Sequence, residues 1–196
     1  ALANQPTVNS ASTVGTVDLS AGALTVNAAL TVATTFSQSG GTINGNDQVT
    51  VGGAFTQSGG STGGTVDLNV ATFTQSGGAT IGAGTTVTSA GAQSLQGGTI
   101  AGTLDGAGAV TVSVGTTTVA ATGVIATGVT VSGSGTLLNS GQLAAVGNQA
   151  TGTFTNNASG TTGAVTNAGT GSNAGTIASL TNTAGTFNNT NIITGN

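Results

Sequence analysis

The hexapeptide Phe36-Ser-Gln-Ser-Gly-Gly41 returns as Phe55-Thr-Gln-Ser-Gly-Gly60 and again as Phe73-Thr-Gln-Ser-Gly-Gly78. A worn copy, Leu95-Gln-Gly-Gly98, follows, and Leu19-Ser-Ala-Gly22 precedes. The closing glycines stand at 22, 41, 60, 78 and 98. A fixed period of this kind, about 19 residues, marks a chain whose units stack on one another. Apolar positions keep the same step. Leu24, Ile43, Thr62, Ile81, Ile100, Val119 and Leu138 form one series, broken only by Thr62. Leu30, Val49, Leu68 and Val87 form a second, and Val32, Val51 and Val70 a third. Val17, Phe36 and Phe55 form a fourth, with Phe73 one position early.

Within each unit the local period is two. Thr25-Val26, Thr31-Val32, Thr50-Val51, Thr65-Val66, Thr86-Val87, Thr111-Val112 and Thr130-Val131 alternate polar with apolar, the pattern of a strand with one buried face. No window keeps a helical period, and 36 glycines would weaken any helix. A unit of two or three short strands cannot bury its apolar side alone. Coiling the chain so that each turn lies about 4.8 Å above the last solves this. The expected fold is all-β: a β-solenoid, or parallel β-helix, with turns of about 19 residues. A left-handed coil of hexapeptides favours a period of about 18, so the longer step favours a right-handed one. Val, Ile, Leu and Phe are expected in internal columns, and Thr, Ser, Gln and Asn in external ones. About ten turns would make a rod roughly 45–50 Å long. A two-sheet sandwich fits less well, because it requires no constant period.

The repeat changes character near residue 113. Gln-Ser-Gly-Gly disappears, and Gly-Thr-apolar triplets take over at Gly135-Thr-Leu137, Gly152-Thr-Phe154, Gly175-Thr-Ile177 and Gly185-Thr-Phe187. Residues 1–112 are read as turns of the Gln-Ser-Gly-Gly type. Residues 113–196 are read as Asn-x-Gly-Thr turns that continue the same rod, since no linker divides them.

Composition restricts function. The chain has no Lys, Arg, His, Cys, Met, Trp or Tyr, and its four acidic residues are Asp18, Asp47, Asp67 and Asp105. Proton transfer in catalysis draws on His, a tuned carboxylate, Lys, Tyr or Cys, and a Ser or Thr nucleophile needs an adjacent base. Transition-metal sites need His or Cys. Nucleic-acid binding needs cations against phosphate, whereas the net charge is −4. The expectation is a non-enzyme with no cofactor and no nucleic-acid partner. No run approaches the roughly 18 apolar residues of a membrane span, so no membrane insertion is expected. The start lacks the basic and long apolar segments of a secretion signal, although Ala1-Leu2-Ala3 is similar to a small-residue cleavage site. One proline, Pro6, and abundant β-branched residues set the chain apart from disordered ones.

The strings FSQSGGTINGNDQVTVGGAFTQSGG (36–60), GGTIAGTLDGAGAVTV (97–112) and TIASLTNTAGTFNN (176–189) resemble the passenger regions of bacterial autotransporters and filamentous-haemagglutinin-type exoproteins. The likeness covers nearly the whole chain. It implies a right-handed parallel β-helix, Gram-negative secretion and a role in adhesion.

Each candidate site has a plainer alternative. Phe36, Phe55 and Phe73 could stack on sugars, but their spacing fits a buried ladder. Asp67 and Asp105 each lie seven positions after a repeat glycine, which puts them in one column two turns apart, while Asp47 turns toward the opposite face. Two such carboxylates could flank a glycosidic bond, but solvated turn residues are the simpler reading. Asn44-Gly45-Asn46-Asp47 could hold calcium or simply turn the chain. Thr rows could match an ice lattice, yet the Thr-x-Thr pattern is irregular. No catalytic, cofactor-binding or metal-binding residue is therefore assigned. The expected function is a secreted structural or adhesive stalk on a bacterial surface, contacting host surface or polysaccharide. Its alternatives are a filament subunit, pairing end to end or laterally through open strand edges, and an ice-binding protein.

Overall fold

The computed structural model describes residues 5–195; the Ala1-Leu2-Ala3 segment lies outside them. Alternating Thr with aliphatic residues extends each repeat, and the glycine-rich spacers turn it back. The coil that begins at Ala23 shows the plan. Leu24 and Val26 point inward from the strand Ala23–Val26, and Leu30, Val32, Phe36 and Gln38 point inward from Leu30–Gln38. Three consecutive exposed residues, Ala33, Thr34 and Thr35, bend the longer strand at its middle. Each such coil thus sends six side chains into the interior.

Coils stack into two parallel sheets. One holds 11 strands, beginning with Thr7–Val8 and Ala23–Val26 and ending with Thr186–Asn189. The other has 13 strands in all and runs from Ser12–Leu19 and Leu30–Gln38 to Ile192–Gly195. Every strand pairs in parallel with its counterpart one coil away, as in Leu24↔Ile43, Leu30↔Val49 and Phe36↔Phe55. The fold is a β-solenoid, and no helix occurs among the described residues. Ile43, Ile81 and Ile100 lie in one column of the first sheet, each fully buried. Thr62 interrupts that column, and its buried hydroxyl accepts the Gly82 amide of the next coil at 3.0 Å.

The constant step holds for only part of the rod. In the first sheet it is unchanged from Ala23 through Thr42, Ser61, Thr80 and Thr99 to Thr118. It lengthens by one position to reach Leu138. It then falls two short of the original at Thr155 and at Ser172, and three short at Asn188. Leu138 therefore does not join the aliphatic series. Val119 is instead in register with Asn139, while Leu138 follows Thr118 on the outer face, half-buried. Asn makes a tight corner in two of the shortened coils: the amides of Gly141 and Gly175 donate to Oδ1 of Asn139 and Asn173, two positions earlier, an Asx turn.

Polar residues also depart from the expected outside position. Gln38, Gln57 and Gln75 are fully buried, as are Asn139, Asn156 and Asn167, and Asn148 and Asn173 nearly so. Burial of an amide is tolerable only when its hydrogen bonds are made inside. Here most of the amides bond to a copy of themselves one coil away, although Gln75 Oε1 and Asn148 Oδ1 find no partner. Gln57 Nε2 donates to Gln38 Oε1 at 3.0 Å, and Gln75 Nε2 donates to Gln57 Oε1 at 3.3 Å. Their remaining protons go to corner carbonyls, those of Gly41 and Ser61 from Gln38 and of Thr80 from Gln57. In the second half Asn139, Asn156 and Asn173 donate in turn, each Nδ2 to the Oδ1 of the next, at 2.7–2.8 Å, and the series ends on Asn189. Asn148 donates likewise to Asn167 at 2.7 Å.

Gln57→Leu should destabilise the rod by about 1–3 kcal/mol, because it strips the donor from buried Gln38 Oε1. Replacing Gln38, Gln57 and Gln75 together should cost less than the sum of the three single changes, since no half-made ladder remains. Denaturant melts of these variants test this. Gln75 Oε1 has no partner and faces Leu95 in register. Leu95→Gln should therefore be tolerated within about 1 kcal/mol, while Leu104→Gln, set between Val87 and Ile125, should cost about 2–5 kcal/mol.

Candidate functional site

Outward-facing groups are the ones available to a partner, and the aromatic residues are not among them. The rings of Phe36 and Phe55 meet edge to face with centroids 5.2 Å apart, and those of Phe55 and Phe73 stack at 5.6 Å. All three rings, and that of Phe154, lie in the core. Phe187 is half-buried, its ring filling the space that a side chain at Gly171 would occupy. The Phe ladder is thus internal, as its spacing indicated.

The carboxylates do not converge. Asp67 stands in register with Gln48, Thr86 and, one coil further, Thr103. Asp105 is in register with Thr88, and through it with Asn69. The two acids therefore occupy different columns, two positions across the sheet and two coils along it. The expected shared column fails because the coil between Thr86 and Thr103 is two positions short of the regular repeat. That offset places their Cα atoms about 12 Å apart. Asp18 is exposed on the strand Ser12–Leu19, opposite Ser37. Asp47 and Asp105 bond to their own chain, accepting the amides of Gln48 and Gly106 at 2.7 Å. Asn44 donates to Thr42 Oγ1 at 3.3 Å. Among the described residues no three acidic, His or Cys side chains gather.

Two shallow depressions lie outside the bend of the second sheet. One, about 400 Å³, is lined by Ala126, Ala144 and Gly163 among others. The other, about 310 Å³, lies beside Ala90, Gly106 and Ala107. Neither is lined by a carboxylate.

The most regular outward feature is a pair of columns on the first sheet. Thr116, Thr136, Thr153, Thr170 and Thr186 are in register from coil to coil. Two positions along each strand stand Thr118, Leu138, Thr155, Ser172 and Asn188. All ten are exposed or half-buried, while the residues between them, such as Thr117, Leu137 and Phe154, are buried. Equal spacing in sequence could not reveal this array, because the coils that carry it differ in length. The Gly-Thr-apolar triplets were the available signal: Thr136, Thr153 and Thr186 are three of the five members of the first column.

No protein-family model, curated protein or solved structure matches this chain. Asp47→Asn keeps an oxygen in place for the Gln48 amide. It should shift stability by no more than about 0.5 kcal/mol, equally with calcium and with a chelator, as thermal melts under both conditions would show.

Proposed function

We propose that this chain is a non-catalytic, rigid segment of an extracellular bacterial surface protein, a stalk that holds an adhesive element at a fixed distance. The observation that carries this reading is the unbroken stack. Both sheets bond each coil to the next from Thr7 to Gly195, and one core cluster runs along the stack. Bending such a rod would open backbone bonds, ladder bonds and aliphatic contacts at once. Eleven strands at about 4.8 Å set a span of about 48 Å. Having no Lys or Arg, the chain offers no cleavage site to proteases that need a basic side chain, which suits exposure outside the cell. The texture shared with autotransporter and filamentous-haemagglutinin passengers supports the same location, with host surface or polysaccharide as the far partner.

A second reading, assembly into a filament, draws on the outermost coils. Ile192 is 51% exposed and Val14 37% exposed, and Leu180, Phe187 and Ile193 are only partly covered. The outer strands leave backbone groups free to pair, with further chain of the same kind or with a second copy.

Spin labels on outward Ser37 and Thr166 should give one narrow distance distribution by pulsed electron resonance. A broad one would rule out a rigid spacer. Electron microscopy of the same sample separates the two readings: single short rods fit the stalk, and long fibres fit the filament.

A further inference from the structure

The threonine face combines three features. Two neighbouring columns repeat together over five coils, with no register shift in any of the four strand pairings. The second sheet, by contrast, is interrupted by shifts between Val14 and Thr16, Val51 and Ala54, and Ile125 and Gly128. The face also carries no charge: Asp18, Asp67 and Asp105 lie in strands of the second sheet and Asp47 in a turn. Finally, the hydroxyls of its first column are free. Corner residues such as Thr34, Thr122, Ser159 and Thr183 donate to carbonyls of the coil before. Among the described residues, Thr116, Thr136, Thr153, Thr170 and Thr186 make no side-chain hydrogen bond to protein, although in the second column Ser172 Oγ reaches Thr155 Oγ1 at 3.3 Å.

We propose that this face, from Thr116 to Asn188, binds ice. Strand pairing spaces the hydroxyls about 4.8 Å apart along the rod, and alternate residues space the two columns about 6.6 Å apart across it. The first distance comes close to the shorter oxygen repeat on a prism plane of hexagonal ice, and the second lies about a tenth below the longer one. β-Branching holds each Thr side chain at χ1, so little rotamer freedom remains to be lost on docking. Each Thr presents a methyl group, which orders the water over it, and a hydroxyl that bonds into that water. A nearby charge would reorient the same water, and none lies on the face. Sugars are a poorer occupant, because no aromatic ring faces outward from these coils except the half-buried edge of Phe187. Anionic polymers and membranes would need the cations that the chain lacks. The inference does not depend on the stalk reading.

The test is freezing-point hysteresis and partition into growing ice, measured on the full chain and three variants. The wild type should show hysteresis and enter the ice. Thr153→Lys, at the centre of the face, should lose most of both, while Thr130→Lys on the second sheet keeps them. Leu138→Thr, which fills a gap in the second column, should raise the hysteresis. Circular dichroism of each variant reports whether the strands are intact. If Thr153→Lys fails to fold, Leu138→Thr against the wild type decides. A wild type without hysteresis, equal loss in both lysine variants, or no gain from Leu138→Thr would overturn the proposal. So would light scattering that shows a dimer broken by Thr153→Lys without any effect on ice, because the face would then pair with a second copy.

Discussion

Every inward side chain in this rod must be satisfied by whatever occupies the same position one coil away. The backbone fixes that neighbour about 4.8 Å distant, too near for unlike groups to be accommodated independently. Aliphatic columns meet the condition by dispersion and exclusion of water. Phe36, Phe55 and Phe73 meet it by ring contact. Gln and Asn meet it by bonding amide to amide. The interior is thus a set of columns chosen for compatibility with themselves, and hydrophobicity is only one way to qualify.

Much of this is legible in the sequence, and the failures have a common cause. The period, the alternation and the columns of Ile43, Val49 and Phe55 follow from counting residues. Treating every polar side chain as an outward one misplaces Gln38. The local period already contradicts that treatment: in Phe36-Ser37-Gln38, a strand that buries Phe36 must also bury Gln38. Counting by a fixed step fails where the coil length changes: one extra position before Leu138 turns it outward, and two missing positions between Thr86 and Thr103 set Asp105 apart from Asp67. The threonine face is obscured for the same reason. No change in hydropathy announces a coil that loses two or three positions at its corners.

The transitions between columns are where the interior is least satisfied. Gln75 Oε1 meets Leu95, and Asn148 Oδ1 follows Val131; both oxygens are buried without a partner. Gln93, at the boundary between the phenylalanine and valine parts of its column, has an unpaired oxygen as well. Three of the orphaned atoms therefore mark changes of chemistry along a column. The middle of the rod, between Gln75 and Asn148, consists chiefly of aliphatic coils that need no such matching. It joins an amide ladder whose donors point toward the first coil to one whose donors point toward the last.

Self-matching has an evolutionary corollary. A gene segment encoding one whole coil of the glutamine block can be duplicated or lost in unequal recombination. The altered product still finds Phe above Phe and Gln above Gln on both sides of the junction. Reach then becomes a heritable quantity that changes in increments of one coil, without a new core having to arise. Within the asparagine coils, where successive lengths differ, the same accident would misalign the seam, so variation in length is easiest to accept in the amino-terminal half.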